Sequence, residues 1–372
     1  MPALLNPPRP DAATPRLRWR NLAGSARALA LAEAASRDDR LYLVVMPDAR
    51  TLDDLERELR FFAPPDLPLL HFPDWEVLPY DRFSPHPDIV SGRLSTLARL
   101  PQARRGLLLV AAETLLQRLP PTDYVKGRSF SLRTGQKFSL EAVRAQLTQA
   151  GYYGVAQVSQ PGEYALRGSL FDVFPMGTSQ PLRIDLFDDE IESIRHFDPE
   201  SQRSLDKIKH FELLPAREVP LDDDAVKAFR RRFRVRFEGD PTRSALYRNI
   251  SEGRAAPGME FYLQLFFEHT ATLFDYLPGS VVVVSDGGLA TALDGVWTGI
   301  TSRHESHRHD IESPLLDPGE VFLAPTDVLA RLVDRPEILL PAAAASVGLS
   351  GEGGRDMPLP AAPPPGLKLD AR

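Results

Sequence analysis

Hydrophobic residues recur in two different ways along this chain, and the change between them divides it. Leu41-Tyr42-Leu43-Val44-Val45-Met46 is apolar throughout, as in a strand buried on both faces. Leu69 to Phe72, Leu107 to Ala112, Val281 to Val284 and Val321 to Ala324 read as further strands. Helical patterns separate them. They are an Ala/Leu run within Trp19 to Glu33 with Ser25 as its N-cap, Thr51 to Phe62 capped by Thr51, Ile89 to Leu100, Glu113 to Leu119, Asp222 to Glu238, Gly288 to Gly295, and a helix from Thr326. Strands alternating with helices predict βαβ units and a mainly parallel sheet. From Tyr124 to Leu214 the strands instead alternate apolar and polar positions. One helix interrupts them, Ser139 to Ala150, capped by Ser139 and stopped by Gly151. The pattern predicts an α/β domain with an antiparallel α+β module inserted in it.

The alternating region centres on Gly162 to Asp198. It predicts a meander of Tyr164 to Phe174, Leu182 to Phe187 and Ile191 to Phe197. A turn at Met176–Ser179 and an acidic corner, Asp188-Asp189-Glu190, join the three strands. In the second strand Leu182, Ile184 and Leu186 share the core face, while Arg183, Asp185 and Phe187 share the other. A phenylalanine beside an arginine on that face has the composition of a protein-binding hot spot. The alternative is that Phe187 rests under a loop and Arg183 pairs with Asp185 or a neighbouring strand.

Length favours two or three domains. The 44 basic and 51 acidic side chains leave a net charge of −7, which argues against a chain-wide grip on nucleic acid. There is no cysteine, hence no disulfide, thiolate metal site or cysteine nucleophile. No signal peptide and no membrane-length apolar run is visible, so a cytoplasmic protein is expected. A monomer is also expected. Residues 342–372 are rich in Ala, Gly and Pro and read as a linker, as in a fragment of something longer.

Four groupings could carry chemistry. Gly24-Ser25-Ala26-Arg27 opens the first helix where a phosphate-binding loop would stand, yet it lacks the Lys-Ser/Thr pair, so no ATP site is expected. Asp188, Asp189 and Glu190 could serve a metal-dependent hydrolase, but consecutive strand positions cannot face one site, and a solvated turn is expected. His304, His307 and His309 have zinc-compatible spacing within a charged run that reads as a mobile loop. Phe229, Phe233 and Phe237 form a helical stripe with five arginines from Arg230 to Arg236 around it. That is an amphipathic surface helix, or, as the alternative, a non-specific DNA contact.

Three stretches carry a family resemblance: GEYALRGSLFDVFPMG with RIDLFDDEIESIRHFDPESQRSL, FPDWEVLPYDRFSPHPDIVSGRLSTLARLP, and GMEFYLQLFFEHTATLFDYLP. Together they resemble the amino-terminal UvrB-like module of the bacterial transcription-repair coupling factor (Mfd) family. The resemblance implies a degenerate helicase-like (RecA-type) parallel-sheet domain interrupted by an antiparallel α+β domain, as in UvrB domains 1 and 2. Residues 1–121 and 215–341 would form the first, 122–214 the second, and 342–372 the linker. UvrB's strand-separating hairpin would fall at Pro73 to Pro87, which is too short for it. The implied function is recruitment of the repair protein UvrA to stalled RNA polymerase. No cofactor or metal is implied, and RNA polymerase and double-stranded DNA are partners of the full-length family member, whose motor lies elsewhere. The family's UvrA-contacting residues fall on Arg167, Arg183 and Phe187.

Overall fold

The structure, a computed structural model, describes residues 5–22, 24–310, 312–340 and 355–359. Its first strands are β1 (Arg16–Arg20), β2 (Leu41–Met46), β3 (Leu69–His71) and β4 (Gly106–Ala111). Then come β5 (Phe130–Arg133), β6 (Tyr153–Gly154), β7 (Glu163–Arg167), β8 (Leu170–Val173), β9 (Leu182–Phe187), β10 (Glu190–Phe197), β11 (Ser204–Ile208) and β12 (His210–Leu213). The last are β13 (Val281–Asp286), β14 (Glu337–Leu340) and β15 (Arg355–Pro358). The longer helices are α1 (Ala26–Ser36), α2 (Ala49–Phe62), α3 (Pro87–Arg99), α4 (Leu140–Gln149), α5 (Asp223–Arg236), α6 (Leu289–His307) and α7 (Pro325–Val333).

Seven strands form one wholly parallel sheet in the order β15-β1-β14-β13-β2-β4-β3. Its central strands divide their side chains between two cores. Leu41, Leu43 and Val45 of β2 enter one, and Tyr42, Val44 and Met46 enter the other with α1 and α2. Burial on both faces is why these strands read as unbroken apolar runs. Between β4 and β13 stands the inserted module. It has a six-stranded sheet, β11-β10-β9-β8-β7-β6, antiparallel except for β6 on β7, and a two-stranded sheet of β5 and β12. One core cluster runs from Leu43 under the large sheet to Ile184 in the module. The expected fold class is the one observed.

The seam between body and module is specific. Beside it, Arg93 of α3 and Glu218, on the body segment that follows the module, form an ion pair whose side chains are 0% and 3% exposed. The Arg93 Nη1 also donates to Pro73 O at 2.7 Å and Gln117 Oε1 at 2.8 Å, and its guanidinium lies over the Phe72 ring at 4.4 Å. The Gly177 N–H, in the turn after β8, donates to Ser91 Oγ at 2.7 Å. The last of these contacts ties the module to the body.

Several expected elements differ. Tyr164 to Phe174 is not one strand but the hairpin of β7 and β8, which turns at Gly168 with φ +62°. Asp48, not Thr51, caps α2, its Oδ1 accepting the Thr51 N–H at 2.8 Å. Ser25 stands at the head of α1 but makes no capping bond, its hydroxyl donating to Glu58 at 3.0 Å. Of Glu113 to Leu119, only the turn Ala112–Leu115 is helical. The helix expected to end at Gly295 continues to His307. Val321 to Ala324 contributes a single bridge, Phe322 to Gln117, instead of a strand. β1 and β14 were not anticipated, and β15 lies in the 342–372 stretch expected as linker, of which 342–354 and 360–372 fall outside the described residues.

Candidate protein-docking face

The face built by β7 to β11 opposite the main core carries Arg167, Asp172, Arg183, Asp185, Phe187 and Arg195. Register explains the grouping: Asp172 stands opposite Arg183, and Arg183 opposite Arg195. Beside them a small second core of Val158, Ala165, Phe174 and Phe197 supports the sheet from this side.

Phe187 ends β9 with 75% of its surface exposed. It does not rest under a loop. Arg183 is placed differently from the expectation of an open side chain, for only 15% of it is exposed. Its Nε donates to Asp172 Oδ1 at 2.8 Å and its Nη2 to Asp172 Oδ2 at 2.9 Å, a bidentate fork. Its Nη1 donates to the Gln202 carbonyl at 3.0 Å, and the guanidinium lies 4.6 Å over the Phe197 ring. The Asp172 hydrogen bond, with the carboxylate charge behind it, raises the Arg183 pKa above its usual value. Pairing with a neighbouring strand was one of the two readings of the sequence, and it holds for Arg183 while Phe187 stays free. Arg167 Nη2 reaches the same Asp172 carboxylate with 45% of its side chain exposed. Arg195, 3.6 Å from Asp185, is a further partly exposed cation here, and the exposed Lys207 of β11 stands opposite it. The three expected residues therefore share one sheet face, and the buried carboxylate that links two of them was not foreseen. Sequence reasoning could have found it only by recognising the Gly168 turn, which puts Asp172 on the strand beside Arg183.

The other candidates do not come together as sites. Asp188, Asp189 and Glu190 form an exposed turn in which Asp189 faces Lys137 at 3.6 Å. His304 and His307 lie in the last turn of α6 instead of a loop, and His309 just beyond it. His304 packs on Tyr80, ring to ring at 5.3 Å. Among the described residues, the group whose carboxylate and imidazole donors fall within 4.8 Å of one another is Asp53, Glu56 and His71. There His71 Nδ1, at 2.8 Å, and Arg60 already engage the Glu56 carboxylate, and the His71 hydrogen bond holds its pKa below the usual value. In α5, Phe229 and Phe233 are buried as the stripe predicts. Arg232 donates to Leu265 O, Arg236 pairs with Asp317 and Glu320, and Arg230, Arg231 and Arg234 are exposed. Among the described residues no helix is long and apolar enough to cross a membrane.

Known proteins resemble the chain in the same places. Residues 130–219 match the family described as the UvrB interaction domain. Over 321 residues, 86% of this chain, it is 42% identical to the transcription-repair-coupling factor of Haemophilus influenzae, and the match covers 28% of that protein. The corresponding Escherichia coli protein is 40% identical over 320 residues, again 86% of this chain and 28% of the relative. The Myxococcus xanthus protein is 32% identical over 344 residues, 85% of this chain and 28% of the relative. The resemblance read from the sequence is borne out, and the chain spans 28% of the length of these relatives.

Proposed function

We propose that this chain is a docking module that recruits UvrA in transcription-coupled excision repair, through the β7–β10 face of its inserted domain. The observation that carries the reading is the exposed Phe187 ring beside guanidiniums that the fold holds in place. Large apolar rings flanked by arginines are the groups that most often dominate protein interfaces. The likeness of residues 130–219 to the UvrB interaction domain supports the assignment, and so does the name of the relatives, which couples transcription to repair. On this reading the parallel-sheet body is scaffolding and not an ATPase. Gly24-Ser25 has no lysine beside it, the Ser25 hydroxyl is spent on Glu58, and Asp286 at the end of β13 accepts the Gly288 N–H at 2.8 Å. The contacts with RNA polymerase and double-stranded DNA belong, on this reading, to a full-length protein. Pull-down with purified UvrA tests the proposal: retention of UvrA supports it, and its absence from the bound fraction removes it.

A further inference from the structure

Arg167 and Arg183 come from different strands, yet both end on the Asp172 carboxylate. That carboxylate is 1% exposed, so it cannot touch a partner itself. Among the described residues its hydrogen bonds run to these two cations. We propose that Asp172 is the positioning residue of the docking face, an inference that rests on the UvrA reading above. Its two oxygens take the Arg183 fork, and Oδ2 also takes the more exposed Arg167.

The physical reason is twofold. Two guanidiniums this close repel one another unless an anion lies between them, and a carboxylate removed from water does so at low local dielectric. Long arginine side chains also lose rotamer freedom when a partner immobilises them, and an arginine already held loses less. Arg183 is held from a third side by the Gln202 carbonyl and from beneath by Phe197. The face is thus ordered before the partner arrives. Arg183 forms its rigid floor, and Arg167 and Phe187 are the groups left to reach outward.

The test is a UvrA titration of the full chain with D172N, R183K and R167A, alone and as the D172N/R167A pair. Asparagine keeps the shape of Asp172 but loses the charge, and lysine keeps the charge of Arg183 but cannot fork. D172N and R183K should each weaken binding about tenfold. D172N should cost clearly less in the R167A background than in the wild type, because part of its effect passes through Arg167. The Arg183 Nε–H signal in nitrogen-15 NMR should be sharp and slowly exchanging in the wild type and broadened and fast-exchanging in D172N. Wild-type affinity in a folded D172N or in R183K, or a fully additive D172N/R167A pair, overturns the inference. Should D172N not fold, R183K and the wild-type Nε–H signal decide alone. A wild-type chain that does not bind UvrA overturns the docking reading itself, whereas binding lost in F187A but kept in D172N and R183K overturns only the role of Asp172.

Discussion

Arg93 and Glu218 meet where the chain returns from the module to the body, with neither side chain open to water. Such a pair adds little net stability over apolar residues of the same shape, yet breaking it strands a charge in the interior. Glu218→Ala should therefore cost roughly 3–5 kcal/mol in urea unfolding. Replacing both residues, Arg93→Met with Glu218→Leu, should recover much of that loss. A single substitution as mild as a surface change would show that the pair is not buried as described.

Gly177 holds the seam between body and module by having no side chain. Its φ is +83°, and a Cβ there would stand 2.9 Å from the Ser95 side chain. Gly168 shares the left-handed backbone, at φ +62°, but has open space around it. Both Gly→Ala changes should cost about 1 kcal/mol of backbone strain, and Gly177→Ala should cost more because Ser95 or the module must shift. Thermal melting of the two variants side by side checks the ordering.

Two carboxyls should make stability fall between acidic and neutral pH. Burial pushes Glu260 up to about 7 in a cleft of about 530 Å³ between body and module, where Ser84 Oγ donates to its Oε2 at 2.8 Å. Burial, then the charges of Asp74 and Asp48, push Glu113 up to about 7 as well. Each folded-state pKa lies above the unfolded one. The protonated forms therefore favour the fold fully below about pH 4.5, and that advantage is lost as the pH rises through about 7. Glu113→Gln and Glu260→Gln should each flatten the profile between those limits and raise the melting temperature at pH 8. An unchanged slope in the double variant would contradict the assignment.

Much of the fold was legible because its strongest signals are local. β2 and β4 lie inside a two-sided core, so their sequences are apolar without a break. The Leu182, Ile184 and Leu186 alternation of β9 marked its core face in the same way, with Leu182 and Ile184 fully buried. β1 was missed because Arg-Leu-Arg-Trp-Arg reads as polar. Only Leu17 and Trp19 point into the core, and the arginines reach out to Val333 O and Asp356. The candidate docking residues were marked by the family pattern, and the face of Phe187 by alternation. What holds Arg183 was not, since Asp172 lies beyond a turn that was read as continuous strand. Arg93 and Glu218, 125 positions apart, are paired by the folded topology alone.

The most direct measurement is a calorimetric titration of purified UvrA with the wild-type chain and with Phe187→Ala. The ring is largely exposed, so its removal should leave the melting temperature nearly unchanged while weakening UvrA binding by roughly 2 kcal/mol, about thirtyfold. Equal affinities for the two proteins would contradict the account.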